Sequence, residues 1–88
     1  MSEKLEKKIL KYTVIFEPAE EGGYVVSVPA LPGCVTEGDT FEEAVDMIKD
    51  AIEGYLYVLK KEDQEIPKEI DDVVVTKISV FDPTTITL

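Results

Sequence analysis

The sequence predicts an α+β domain in which three antiparallel strands come first, one helix follows, and a further strand comes last. Two observations indicate this class. Short segments near both ends alternate β-branched and aromatic residues, and residues 41–60 repeat apolar side chains at spacings of three and four. A length of 88 residues with 44% apolar content suits one small core. The predicted order is therefore β-β-β-α-β within a single domain.

The first two strands are predicted to form a hairpin. In residues 9–17 the side chains of Leu10, Tyr12, Val14 and Phe16 share one face by the two-residue period of a strand. Pro18 ends this strand because it has no amide hydrogen to donate. The following "EEGG" supplies glycines for a turn with positive φ, and residues 24–28 form the return strand.

The third strand and the helix follow a Pro-Gly turn at residues 32–33. Residues 34–37 form a short strand, and Gly38 and Asp39 end it. Thr40 and Glu43 then have the spacing of a capping box, which predicts the helix start. The apolar stripe of the helix, which predicts its buried face, consists of Phe41, Ala44, Val45, Ile48, Ala51, Ile52, Tyr55, Leu56 and Leu59.

The C-terminal part is predicted to contain a charged connector and a last strand over residues 73–81. Pro67 forbids a continuous helix through the connector. The whole chain, residues 1–88, is taken as one domain, with a polar lead-in at 1–8, a core at 9–81 and a tail at 82–88.

One face of the predicted sheet lacks a covering element, because a single helix covers only one side of three or four strands. The apolar residues left on that face predict a homodimer or a higher homo-oligomer. They are Ile9, Ile15, Val25, Val73 and Val75, with Val74 and Ile78 replacing the last two if the final strand is turned the other way.

Charge and residue types exclude several functions. The chain has 19 acidic residues, nine lysines, no arginine and no histidine, giving a net charge of −10. Phosphate binding requires clustered cations, so we expect no direct nucleic-acid binding and a basic protein as the partner. Triads that depend on histidine are impossible within the chain. The acidic residues lie outside the strand interiors, so no catalytic residue, metal or cofactor is predicted and the chain is not expected to be an enzyme.

Cysteine content and hydropathy indicate a cytoplasmic protein. Cys34 is the single cysteine, so no internal disulfide is possible, and it is predicted to fill a position in the core. The N-terminal residues are charged where a secretory signal requires an apolar stretch. No apolar run approaches the ~20 residues of a membrane span, so no membrane association is expected.

The string P-x-L-P-G-C-x-T-x-G-x-T-x-x-E-A, complete from Pro29 to Ala44, resembles the HicB antitoxin family. The resemblance covers residues 12–59 and implies a partial RNase H-like fold that lacks nuclease chemistry. It also implies that the chain binds HicA, a small basic mRNA-cleaving toxin, and covers its RNA-binding surface. Longer members add a C-terminal DNA-binding domain. Here only a strand and a short tail follow Pro67, with Lys68 and Lys77 as the cations.

A partner-binding surface is predicted from charge at the turns that flank the strands. The acidic residues predicted to bind a basic toxin, with two apolar anchors beside them, are Glu20, Glu21, Glu37 and Asp39 with Tyr24 and Leu31. An alternative remains open: an orphan HicB-like homo-oligomer that serves as a regulatory or small-molecule-binding module without a toxin.

Overall fold

The structure, a computed structural model, describes residues 8–70 and 74–84. Its elements are β1 (Ile15–Pro18), β2 (Tyr24–Ser27), β3 (Val35–Gly38) and α1 (Phe41–Lys61). The strands form one antiparallel sheet in the order β1-β2-β3. The predicted α+β class, with three strands before one helix, is confirmed.

The strands are shorter than the alternating pattern predicted, most of all β1. Residues 9–14 continue the pattern but have no strand beside them, because the chain turns away soon after β2. In this turn the Leu31 amide donates to the Val28 carbonyl at 3.0 Å, and the Cys34 amide donates to the Leu31 carbonyl at 3.0 Å. A strand continues only where a neighbour offers backbone partners, so pairing begins at Ile15 opposite Ser27.

The helix begins and ends close to the predicted positions. Thr40 has extended dihedral angles, and its hydroxyl accepts from the Glu43 amide at 3.1 Å. This bond is the half of the predicted capping box that satisfies a free helical amide. Acidic residues in the first turn and lysines in the last turn match the helix dipole.

The core lies between α1 and one face of the sheet. Its buried members are Val26, Val28, Leu31, Cys34, Ala44 and Ile48. Tyr12, Val14 and Phe16 pack against this cluster, as the first-strand pattern predicted, whereas Leu10 is 46% exposed and does not. Cys34 is 4% exposed, and burial raises the pKa of its thiol, so it stays neutral and serves as a small apolar side chain.

The connector after α1 returns to the chain just before β1. The Tyr12 hydroxyl donates to the Pro67 carbonyl at 2.6 Å. The Thr13 amide and hydroxyl both donate to Glu69 Oε2, at 2.7 and 2.5 Å. These bonds fix residues 67–69 beside residues 12–13.

The segment predicted as the last strand has no regular secondary structure over its described part, residues 74–81. Val74 is 85% exposed and Phe81 is fully exposed. A strand is defined by its hydrogen-bonded neighbour, and this single chain supplies none at these residues. The fourth strand therefore stays a prediction, and its first residue, Val73, lies outside the described residues.

Candidate partner-binding site

A hollow at one end of the sheet collects the acidic residues that the sequence analysis selected. It is lined by Ala19, Glu20, Glu21, Gly22, Glu37 and Asp39, and we call it the acidic hollow. All four carboxylate residues are exposed. Two of them come from the β1–β2 turn and two from the end of β3, so the fold brings together residues that are 16 to 19 positions apart in the chain.

The acidic hollow exists because the β1–β2 turn lies directly against the end of β3. Gly23 has φ of 75°, and a Cβ atom there would clash with the Gly38 carbonyl oxygen and lie 3.0 Å from the Asp39 Cα atom. Only glycine allows this approach. The turn is closed by the Ala19 amide, which donates to the Gly23 carbonyl at 3.0 Å. Gly23 therefore determines how close the two acidic pairs lie.

The electrostatics of the acidic hollow favour a cationic ligand. Four carboxylates line one concave surface, and water screens their mutual repulsion only in part. Lysine or arginine side chains of a partner would relieve that repulsion and form charge-assisted hydrogen bonds. The arrangement suits an extended basic surface better than a single ion, since the carboxylates are spread along a rim.

A cluster of three aromatic rings lies at the same end of the sheet, on the side that faces α1. Phe16 and Phe41 have ring centroids 4.8 Å apart, and Tyr24 meets Phe41 edge to face at 6.0 Å. Tyr24 is half-buried, while Phe41 is 48% exposed. The apolar stripe predicted that Phe41 would be buried, and Phe41 was not predicted as a surface residue. Its place in the first helical turn, at the end of the helix, is the feature of the sequence that indicates partial exposure.

Leu31 is not available as the apolar anchor predicted for it. Its side chain is 0% exposed and belongs to the core cluster. Leu31 lies within the turn after β2, where the backbone bonds to Val28 and Cys34 direct the side chain inward. A partner could contact Leu31 only if the core opened. The prediction that Leu31 is an apolar anchor on the surface is therefore wrong.

The residues predicted for self-association are only partly brought together. Ile15 and Val25 lie on the sheet face opposite α1, which we call the open face, and each is 37% exposed. Val75 shares a hollow with Ile15, Pro29 and Ile70. Ile9 is 83% exposed and lines a separate hollow beside Pro67. Val73 lies outside the described residues.

Two further observations bear on chemistry and on membranes. Over residues 8–70 and 74–84, no group of three histidine, cysteine, aspartate or glutamate residues converges as metal ligands would. Within the same residues, no helix combines the length and the apolar character that crossing a bilayer requires.

Comparison with known proteins identifies relatives of this chain. The sequence profile of the HicB-like antitoxin of bacterial toxin-antitoxin systems matches residues 12–80. A UPF0150 protein of Thermoplasma acidophilum is 53% identical over 60 residues, which are 68% of this chain and 87% of that protein. A UPF0150 protein of Synechocystis is 46% identical over 75 residues, 85% of this chain and 92% of its own length.

A named antitoxin is also similar. Antitoxin HicB 1 of Photorhabdus laumondii is 43% identical over 60 residues, which cover 68% of this chain but only 39% of the antitoxin. The matched part therefore corresponds to one portion of that longer protein. The profile match spans the sheet, the acidic hollow, the helix and the connector, and it extends into the unpaired segment. This chain belongs to the HicB-like antitoxin family.

Proposed function

We propose that the chain is an antitoxin that binds a small basic HicA-type mRNA-cleaving toxin and covers its RNA-binding surface. The observation that carries the proposal is the acidic hollow, in which the fold gathers four carboxylates of a family member with net charge −10. A surface built to attract RNA phosphate also attracts carboxylates, so an acidic domain competes with RNA for it.

The proposed contact surface consists of Glu20, Glu21, Glu37 and Asp39, with Tyr24 and the exposed ring of Phe41 as apolar neighbours. Charge would steer the encounter, and the aromatic edge would contribute buried apolar area. The role is one of binding without catalysis, in the cytoplasm, and without direct contact to nucleic acid or membrane. The absence of histidine and arginine from the sequence supports this part of the proposal.

We also propose that the chain is a homodimer or a higher homo-oligomer. The support is the open face, where Ile15, Val25 and Val35 are 37%, 37% and 56% exposed and no element of the described chain packs over them. A dimer would present two acidic hollows and bind two toxins.

The experiment begins with affinity capture from lysate of the source cells at low salt, followed by purification of any small basic protein recovered. That protein is then assayed for RNA cleavage with and without this chain. We expect cleavage, inhibition near stoichiometric amounts, and weaker binding at high salt. A captured protein that does not cleave RNA, or cleavage that this chain leaves unchanged, contradicts the proposal and favours the orphan binding module.

The acidic hollow is tested by charge reversal in two variants that have the same net charge as each other. The variant Glu37→Lys with Asp39→Lys is compared with the control Asp46→Lys with Glu53→Lys, which places the same charges on the exposed side of α1. We expect the first pair to weaken toxin binding about tenfold or more at low salt and the control about twofold. Equal losses from the two variants would assign binding to overall charge and not to the hollow.

A further inference from the structure

The exchange segment, as we call residues 74–81, has the pattern of a strand without a neighbour. By the two-residue period, Val74, Thr76, Ile78 and Val80 share one side, and Val75, Lys77, Ser79 and Phe81 share the other. Ile78 and Val80 are 80% and 84% exposed. A wholly β-branched side of this kind gains free energy when it is buried in a sheet.

All but the last residue of the exchange segment lies within the region that matches the family profile. The family match continues through the connector to residue 80. A segment that the family domain includes, and that carries a strand pattern, is expected to pack when the protein is assembled.

The outer edge of β1 offers the backbone partners that such a strand needs. β1 is an edge strand, because the sheet order begins with it. The Ala19 amide donates to the Gly23 carbonyl, so the backbone groups of Ala19 face β2. Backbone groups two residues apart point the same way, so Ile15 and Glu17 also face β2, and Phe16 between them directs its backbone groups to the outer edge.

The exchange segment begins near Ile15 of its own chain but is not covered there. Val75 lines the hollow with Ile15, yet it is 80% exposed. Ile78, Val80 and Phe81 are 80%, 84% and 101% exposed. The apolar side chains of the segment are therefore accessible to a neighbouring molecule.

We propose that the exchange segment pairs with the outer edge of β1 in a second copy of this chain, and that the exchange is reciprocal. Each copy then supplies the fourth strand of the other's sheet, at the place the segment would occupy in its own chain. The interface is self-complementary under a two-fold axis. This inference rests on the proposed self-association but is independent of the toxin.

The charge pattern agrees with this arrangement. When Val74, Ile78 and Val80 face the core under the helix, Lys77 emerges on the open face. Glu17 is on the same face of β1, since it pairs with Val25 and alternates with Phe16. A lysine on the incoming strand thus meets a glutamate on the receiving strand. Glu17→Lys should raise the dimer dissociation constant about threefold, and adding Lys77→Glu should restore it.

The decisive test is disulfide trapping between two differently tagged chains. One chain carries Lys77→Cys and the other carries Ile15→Cys or Glu17→Cys; they are unfolded together, refolded and oxidised. Registers that place Lys77 opposite Ile15 or opposite Glu17 bring one of these pairs within reach of a disulfide, whereas the diagonal pair, about 7–8 Å apart, is too distant. The unaltered chain measures background, since Cys34 is buried and its pKa is raised.

Matched controls are available on β3, the opposite edge of the same face. Val35 is in register with Ile15 through Ser27, and Glu37 with Glu17 through Val25. Both lie two strands away from β1, about 10 Å, which is too far for a disulfide. We expect at least about fivefold more covalent heterodimer with either Ile15→Cys or Glu17→Cys than with its matched control, Val35→Cys or Glu37→Cys.

Each of the following outcomes contradicts the proposed strand exchange and indicates a different arrangement of the segment. A chain that carries both Ile15→Cys and Lys77→Cys and cross-links only within itself shows that the segment folds back onto its own β1. Preferential trapping with Val35→Cys assigns the segment to β3. A dimer by sedimentation that never cross-links keeps self-association but removes the exchange. A monomer at all concentrations contradicts both.

Discussion

The packed body, residues 12–61, and the exchange segment contain the same kinds of apolar residue but bury them very differently. Leu31 and Val26 are 0% exposed, whereas Val74 and Phe81 are 85% and 101% exposed. In the body, three strands joined by short turns and one helix lie close along the chain and cover each other. The exchange segment follows a long connector. A strand pattern therefore predicts that a segment will be paired, and chain connectivity decides with what.

The largest effect is expected when one apolar side chain is truncated in each region. Leu31→Ala should lower the free energy of unfolding by about 3 kcal/mol, because it removes a fully buried side chain and leaves a cavity. Urea unfolding followed by circular dichroism measures the loss, which should not depend on protein concentration.

The counterpart in the exchange segment is Ile78→Ala. Its loss should be small in dilute protein and should grow with concentration, as expected for a residue buried only in a dimer. A loss below about 1 kcal/mol for Leu31→Ala, or a concentration-independent loss of similar size at Ile78, would remove the distinction between the two regions.

The second test concerns the contact between Gly23 in the β1–β2 turn and the end of β3, which lies beneath the acidic hollow. Gly23→Ala should cost about 2–3 kcal/mol, since the added Cβ meets the Gly38 carbonyl and the positive φ disfavours alanine. Gly22→Ala is the matched control: its φ of 98° is also positive, but nothing lies within 4 Å of the added atom. We expect a cost of about 1 kcal/mol there. Similar losses at the two positions would mean that the turn does not press against β3.

Much of the body was predictable from the sequence because its signals are local. Thr40 and Glu43 marked the helix start by their spacing, and Pro18 marked the end of β1. The two glycines of the turn were identified from the need for positive φ. Such features depend on residues within one or two turns of each other, so no knowledge of the tertiary structure is needed.

The acidic residues of the candidate site could be predicted from the sequence, but the burial of the apolar residues near it could not. Selection of the four acidic residues required only that the turn and the end of β3 meet, which hairpin pairing implies. Leu31 and Phe41 show where this reasoning stops. Both are apolar residues next to turns, yet one is in the core and the other half on the surface. Whether such a side chain is buried or exposed depends on the packing of elements that are distant in the sequence. The periodicity of the sequence alone does not predict it.

The smallest effect is expected at the contact that ties the connector to the residues before β1. Hydrogen bonds from the Thr13 hydroxyl, with further backbone bonds from Ile70 and Thr13, lower the pKa of Glu69 below its ordinary value of 4.5. A carboxyl whose pKa is lowered by folding adds stability above its unfolded pKa and loses that contribution as the pH falls through the folded value. The contact should therefore persist at neutral pH and open only below pH 4.5.

The Thr13 amide proton reports this opening by NMR, because its amide donates to the same carboxylate oxygen as its hydroxyl. Its chemical shift should titrate with a midpoint below 4.5. In Glu69→Gln the side-chain oxygen still accepts a hydrogen bond but has no proton to gain at low pH, so this titration should disappear while the fold is retained. A midpoint at or above the ordinary value would mean that Thr13 does not hold the carboxylate. The connector would then not be held beside the residues before β1 by this contact.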